Sequence, residues 1–192
     1  MIIETVAEHS FCPELLYPNA NVLDLGCLGM LFTNEMKRRG YWLFPVDIQI
    51  FDGDYTRLAI TDYNGYGWIR HNTTDKQATS FSGRMPQIDE PNLEAIECET
   101  IKTFSRKMGV KFWDLIKMDV EGSEYEIIMS WNEPPAKQLS VEFHLHIGIY
   151  NIQDVSKMRL KLFSLGYIAV QHELTEAHGC GKNYWDSVFV LQ

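Results

Sequence analysis

The chain has 192 residues, 45% of them hydrophobic, which is the length of one domain with enough apolar content for a core. A formal net charge of −9 and a pI near 5.1 argue against a protein that coats nucleic-acid phosphates, since such proteins gain affinity from clustered Lys and Arg and the basic groups here are as small as Lys37, Arg38 and Arg39. No apolar run nears the ~20 residues of a membrane span, no basic-then-apolar leader opens the chain, and Cys12, Cys27, Cys98 and Cys180 lack paired spacing, so the expectation is a soluble cytoplasmic protein with reduced thiols.

Residues Met1 to Asn19 read as a short helix or arm ending around Pro13 and Pro18. Asn21 to Leu25, NVLDL, is an apolar strand, followed at once by Gly26 and Gly29. Met30 to Arg39 has helical spacing, with Leu31, Phe32 and Met36 available for burial and Gly40 as its stop. Trp42 to Ile48 is a second strand carrying Asp47 at its end, which completes a βαβ unit with an expected right-handed crossover. Arg57 to Thr61 reads as a third strand, then a turn passes through Asp62, Asn64 and Gly65. His71 to Asn92 is polar, with little periodicity, and reads as a long surface loop. Ile96 to Met108 holds a short strand and a helix stopped by Gly109.

The stretch Asp114 to Ile128, DLIKMDVEGSEYEII, is the most informative. Alternation turns Ile116, Met118 and Val120 to one side and Lys117, Asp119 and Glu121 to the other. Charges along a central strand are costly unless paired or used, so a function near its end is expected. Gly122 allows a sharp turn, Ser123 suits a helix cap, and Glu124 to Trp131 can run as a helix before Pro134 and Pro135. Leu139 to His146 is a further strand, and Asp154 to Leu165 an amphipathic helix with Val155, Met158, Leu162 and Phe163 inward. Tyr167 to His172 and Ser187 to Leu191 are two final strands joined by a glycine-containing loop around His178 to Tyr184. Alternating strands and helices imply an α/β domain with a doubly wound, mostly parallel sheet, and the last two strands an antiparallel hairpin at one edge.

Gly26 and Gly29 at a strand-to-helix turn leave backbone N–H groups open to a ligand. The spacing is not that of a dinucleotide fingerprint. Asp24, two residues before the first glycine, would repel a pyrophosphate but suits an ammonium group, and Asp47 is placed to accept hydrogen bonds from ribose hydroxyls. Together these favour S-adenosylmethionine over NAD. A plain glycine turn with a surface acid after the second strand is the competing reading.

These segments resemble the FkbM-type S-adenosylmethionine-dependent methyltransferases. VLDLGCLG at 22–29 is similar to their cofactor loop, Asp47 to the acid that follows it, LAITDYNG at 58–65 to their third-strand segment, and the K-x-D-x-E-G of Lys117, Asp119, Glu121 and Gly122 to their hallmark; SVEFHLH and WDSVFVL resemble their late strands. The resemblance runs from about Asn21 to Leu191 and implies a class I methyltransferase fold, Rossmann-like, with a seven-stranded sheet whose last strand is antiparallel, and methyl transfer commonly to a hydroxyl oxygen. Where those proteins carry another glycine near the helix start, this chain has Met30. The chain is also short for the family, which points to a reduced substrate-covering extension.

The expected cofactor set is Asp24, Gly26, Cys27 and Gly29 around the amino-acid end, Asp47 and Ile48 at the ribose, and Asp62 at the adenine edge. Lys117 and Glu142 are expected to form an inner structural ion pair, with Asp119, Glu121, His144 and His146 nearer the open end. Asp119, Glu121 and His144 are the catalytic candidates, with Asp119 or His144 as the base that takes a hydroxyl proton. A satisfied polar ladder is the alternative explanation. Asp119, Glu121, Glu142 and His144 are competent metal ligands, but no spacing defines a set, so no metal is assigned. His178 and Cys180 resemble half a metal site without a second pair, and Tyr184 and Trp185 are packing aromatics that could line an acceptor pocket. The acceptor is expected to be a small molecule or sugar. The rival readings are a non-catalytic cofactor-binding module of the same fold and an NAD-type oxidoreductase.

Overall fold

Two apolar strands, NVLDL and WDLIKM, lie side by side at the centre of the molecule, with every residue of the second buried. The computed structural model describes residues 1–71, 79–83, 93–145, 149–176 and 183–192. In chain order the strands and helices are β1 (Glu4–Val6), β2 (His9–Phe11), β3 (Asn21–Leu25), α1 (Leu31–Arg38), β4 (Trp42–Asp47), β5 (Thr56–Arg57), β6 (Ala59–Ile60), β7 (Gly65–His71), β8 (Thr79–Gly83), β9 (Leu93–Glu99), α2 (Ile101–Met108), β10 (Trp113–Met118), α3 (Glu124–Ser130), β11 (Ala136–Phe143), α4 (Ile152–Ser164), β12 (Tyr167–Glu176) and β13 (Asn183–Leu191).

A seven-stranded sheet runs β12-β13-β11-β10-β3-β4-β5. It is mixed: β5, β4, β3, β10 and β11 pair in parallel, while β13 pairs antiparallel with both β11 and β12. The C-terminal hairpin is therefore present at the edge, with its second strand inserted inside its first. Helices α2, α3 and α4 pack through Phe104, Ile128 and Met158 onto the face that carries Ile116 and Met118. Helix α1 and the β1–β2 hairpin pack through Phe32, Met36 and Phe11 onto the opposite face, around Leu115 and Val22. Helix α2 is closed at its start by the Thr100 side chain and at its end by Gly109 at φ +72°. A capping box from Asn151 and Asp154 starts α4.

Several expectations are corrected. The N-terminal segment forms a hairpin rather than a helix; Gln138, fully buried in β11, clamps it by accepting from the Cys12 N–H at 2.8 Å and donating to the Cys12 carbonyl at 3.1 Å. The third strand breaks at Leu58 into β5, on the main sheet, and β6, which belongs to a second, four-stranded sheet of order β6-β9-β7-β8. That sheet takes in part of the stretch read as loop, because β7 and β8 pair antiparallel although GYGWIRH and TSFSG lack an apolar period. The rest of that loop, residues 72–78 and 84–92, lies outside the described residues, as do His146, His178 and Cys180. Ser123 takes the N-cap position of α3 but its side chain makes no capping hydrogen bond, and Phe163 faces solvent rather than the core.

Candidate active site

The five parallel strands carry their carboxyl ends to one edge of the sheet, where the turn after β3 meets the turn after β10. Gly26 stands at φ +77°, and a Cβ on it would lie 1.7 Å from the Asp119 carbonyl oxygen, so only glycine lets the two turns touch. Beside them opens a cavity in contact with solvent. Leu25, Gly26 and Leu28 form one wall, Val46 to Gln49 a second, and Asp119 to Glu121 with Ser123 a third; Leu58, Ala59, Ile60 and Phe81 supply an apolar side.

The expected cofactor residues divide. Gly26, Asp47 and Ile48 line the cavity. Asp47 is buried at the end of β4, its Oδ1 accepts from the Gln49 N–H at 2.8 Å, and burial pushes its carboxyl above the usual range. Asp24, Cys27, Gly29 and Asp62 do not line it. Asp24 is fully buried beneath the turn, where it pairs with Lys117 at 3.2 Å and accepts from the Thr33 hydroxyl at 2.5 Å. Cys27 is buried, and desolvation with Asp24 and Asp47 nearby pushes its thiol far up, so it stays protonated. Gly29 shapes the turn at φ +73°, and Met30 takes φ +58° at the start of α1, the left-handed conformation that a glycine would adopt without strain. Asp62 lies at another groove, with Thr100 and Ile101, because the chain has left the main sheet at Leu58.

Lys117 does not pair with Glu142 as expected. Register sets Ser140 opposite it, and its ammonium reaches inward to Asp24, to the Gly26 carbonyl at 2.5 Å and to Asp119 at 3.4 Å. Burial alone would depress the Lys117 pKa, but Asp24 and Asp119 outweigh it and hold the group charged. The reason is parallel pairing: β3 lies on the other side of β10 at Lys117↔Asp24, a neighbour that periodicity does not name.

The outer residues do converge. His144, 1% exposed, sets Nε2 3.3 Å from Asp119, 3.8 Å from Glu121 and 3.5 Å from Glu142. Its Nδ1 lies 2.7 Å from Oε1 of Glu124, a fully buried carboxylate that also accepts from the Tyr150 hydroxyl at 2.9 Å and from the Val120 and Gly122 N–H groups at 3.3 Å. Burial pulls the His144 pKa down, yet the hydrogen bonds to Asp119 and Glu124 raise it to about 11. Asp119 answers in the opposite sense: desolvation would raise it, but Lys117, His144 and His9 hold it well below the usual carboxylate range. Glu121 sits at φ +53°, a left-handed backbone that costs a side-chain-bearing residue ~1–3 kcal/mol and turns its carboxylate, half exposed, toward the cavity.

Three site residues escaped the sequence reading. His9, from β2, reaches Asp119 at 3.4 Å, and no local pattern points from residue 9 to residue 119. Glu124 was read only as the first residue of a helix, although an acid directly after a glycine turn could have signalled a carboxylate folded back onto the turn. Tyr150 follows a stretch without periodicity.

No curated protein sequence matches this chain. Among solved structures it is similar to magnesium protoporphyrin IX methyltransferase from Synechocystis PCC 6803 with bound SAM, at 13% identity over 91% of this chain and 71% of that one, TM-score 0.46. A TehB-like SAM-dependent methyltransferase from Corynebacterium glutamicum gives 11% identity over 93% and 84%, TM-score 0.45. The 16S rRNA (adenine(1408)-N(1))-methyltransferase W203A mutant from Catenulisporales acidiphilia gives 13% over 91% and 86%, TM-score 0.47. The Methyltransferase FkbM domain matches residues 43–169, more than half of the chain, from β4 through the Asp119 cluster to the start of β12, and the protein belongs to that family.

Proposed function

We propose that this methyltransferase uses S-adenosylmethionine and methylates a hydroxyl oxygen of a small molecule or sugar. The observation that carries the reading is that Gly26 and Asp47, suited to a nucleoside and its amino-acid tail, line the same cavity as Asp119 and Glu121, suited to a hydroxyl. The residues present fit that cofactor. The close approach at Gly26 leaves backbone rather than side chain at the turn, Asp47 offers a carboxylate to ribose hydroxyls, and Ile48 and Ile60 offer an apolar slot to the adenine. Asp24 acts at one remove, through Lys117 and the Gly26 carbonyl, and Cys27 and Gly29 shape the turn. When bound, the cofactor supplies an electrophilic methyl group on a sulfonium.

In-line transfer asks the protein for alignment and for a proton acceptor. Asp119 and Glu121 accept the hydroxyl's hydrogen bond. His144, with its pKa raised to about 11, is an imidazolium at neutral pH and holds the carboxylates in place rather than taking the proton. That removes His144 as the proton acceptor and leaves the two carboxylates, of which Asp119, held well below the usual carboxylate range, is a weak base. The net charge of −9 supports a small acceptor over a polyanionic one. Calorimetry with S-adenosylhomocysteine and with NAD tests the reading: the first binds, the second does not, and Asp47→Ala weakens binding at least ~10-fold as two ribose hydrogen bonds are lost. Binding of NAD alone would overturn it, and bound S-adenosylhomocysteine with no methyl transfer across a broad hydroxyl panel would favour a non-catalytic module.

A further inference from the structure

The second sheet supplies the apolar side of the cavity. Ala59 and Ile60 reach it from β6 and Phe81 from β8, while Asp119 and Glu121 stand on another wall. Among the described lining residues Phe81 is the one aromatic, and it falls within the stretch that periodicity reads as loop. Its ring is half-buried and packs onto the cluster of Ala59, Ile69, Ile96 and Cys98 on that sheet.

The sheet holds this ring in place from two directions. On β8, Phe81 pairs with the fully buried Ile69, and the register shifts beside it, Trp68 pairing with Gly83, so that β8 carries one extra residue next to Phe81. A bulge of this kind bends the strand and re-aims the neighbouring side chain. On β7, Gly67 leaves room for the ring. A Cβ there would lie 2.6 Å from Cε2 and 2.7 Å from Cζ of Phe81, and 2.8 Å from the Cys98 sulfur, so any side chain at 67 displaces the ring.

Asp62, the carboxylate expected at the adenine edge, lies at a different groove with Thr100 and Ile101. We propose that Phe81 recognises the base of the cofactor in its stead: the adenine lies against the Phe81 ring, and the second sheet is the scaffold that presents that ring, seated on Gly67. A purine offers a flat π-face that stacks on an aromatic side chain without needing a hydrogen bond at its edge. With the ribose at Asp47, on the wall between, the base falls on the apolar side and the methyl-bearing end on the side of Asp119 and Glu121. The assignment rests on S-adenosylmethionine being the cofactor, and adds to that reading the residue and the sheet that select the base.

The test is calorimetry with S-adenosylhomocysteine on the full chain and four variants. Stacking of a base on an aromatic ring is worth about 5–150-fold in affinity by alanine substitution, so Phe81→Ala is expected to weaken binding at least ~5-fold. Phe81→Leu keeps an apolar side chain against the sheet and so keeps the fold, yet still binds more weakly than wild type. Gly67→Ala weakens binding by moving the ring, although residue 67 does not line the cavity. Asp62→Asn leaves affinity within about 2-fold of wild type. In protein with ring-protonated phenylalanine on a deuterated background, a nuclear Overhauser effect joins adenine H2 or H8 to a phenylalanine ring, and it is absent in Phe81→Leu. Wild-type affinity in both Phe81 variants, or a loss in Asp62→Asn as large as in Phe81→Ala, overturns the assignment and leaves the methyltransferase reading standing. No binding of S-adenosylhomocysteine to the wild type overturns both.

Discussion

Replacing Lys117 by Met tests the central claim about how the charged strand is tolerated. Lys117 and Asp24 are 2% and 0% exposed, and their charged atoms lie 3.2 Å apart. At an effective dielectric of ~20 that separation corresponds to about 5 kcal/mol of attraction, which offsets the cost of burying both ions rather than adding to stability. Lys117→Met keeps the apolar stem but leaves Asp24 buried with the Thr33 hydroxyl as its remaining hydrogen-bond partner among the described residues. Removing one partner of such a pair costs about 3–5 kcal/mol. For a domain of this size each kcal/mol lowers the midpoint by ~2–4 °C, so a fall of about 6–20 °C is expected in thermal unfolding followed by circular dichroism. The double variant Lys117→Met/Asp24→Asn removes both charges. It should be destabilised by about 1–3 kcal/mol less than the sum of the two single variants. A single variant melting within ~2 °C of wild type, or strict additivity in the cycle, would refute the assignment of Lys117 to Asp24.

Gly26→Ala should destabilise by roughly 2–5 kcal/mol, combining a left-handed backbone with overpacking against the Asp119 carbonyl, and should abolish S-adenosylhomocysteine binding. Wild-type affinity by calorimetry would show that the two turns are not in contact. Cys12, Cys27 and Cys98 are buried with their thiols pushed above the ordinary value by desolvation, so native protein at pH 8 should leave all three unmodified by iodoacetamide, as read by peptide mass. Rapid labelling of Cys27 would mean that the turn after β3 opens in solution.

The amino-acid sequence by itself determined the alternation that makes β3 and β10 strands, the glycine turn that closes the first, and the carboxylates that cluster past the end of the second. Those are local properties: a period of two, a residue without a Cβ, and charges that a central strand tolerates only with a use. It therefore named Asp47, Asp119, Glu121 and His144 as candidates, and the family's hallmark includes Asp119 and Glu121. Only the tertiary structure decided which charge meets which. Lys117 pairs with Asp24 through a neighbouring strand 93 residues away in the chain, since Lys117 and Asp24 are opposed in register. His9 comes from a hairpin held to β11 by Gln138, and Glu124 comes from the start of α3 and Tyr150 from just before α4, segments that meet only once the sheet has formed. The second sheet was hidden for the same reason, because its polar, glycine-bearing strands are stabilised by pairing, β8 with β7 and β7 with β9, and carry no pattern of their own. Periodicity reports which way a side chain faces; strand order and register decide what it faces.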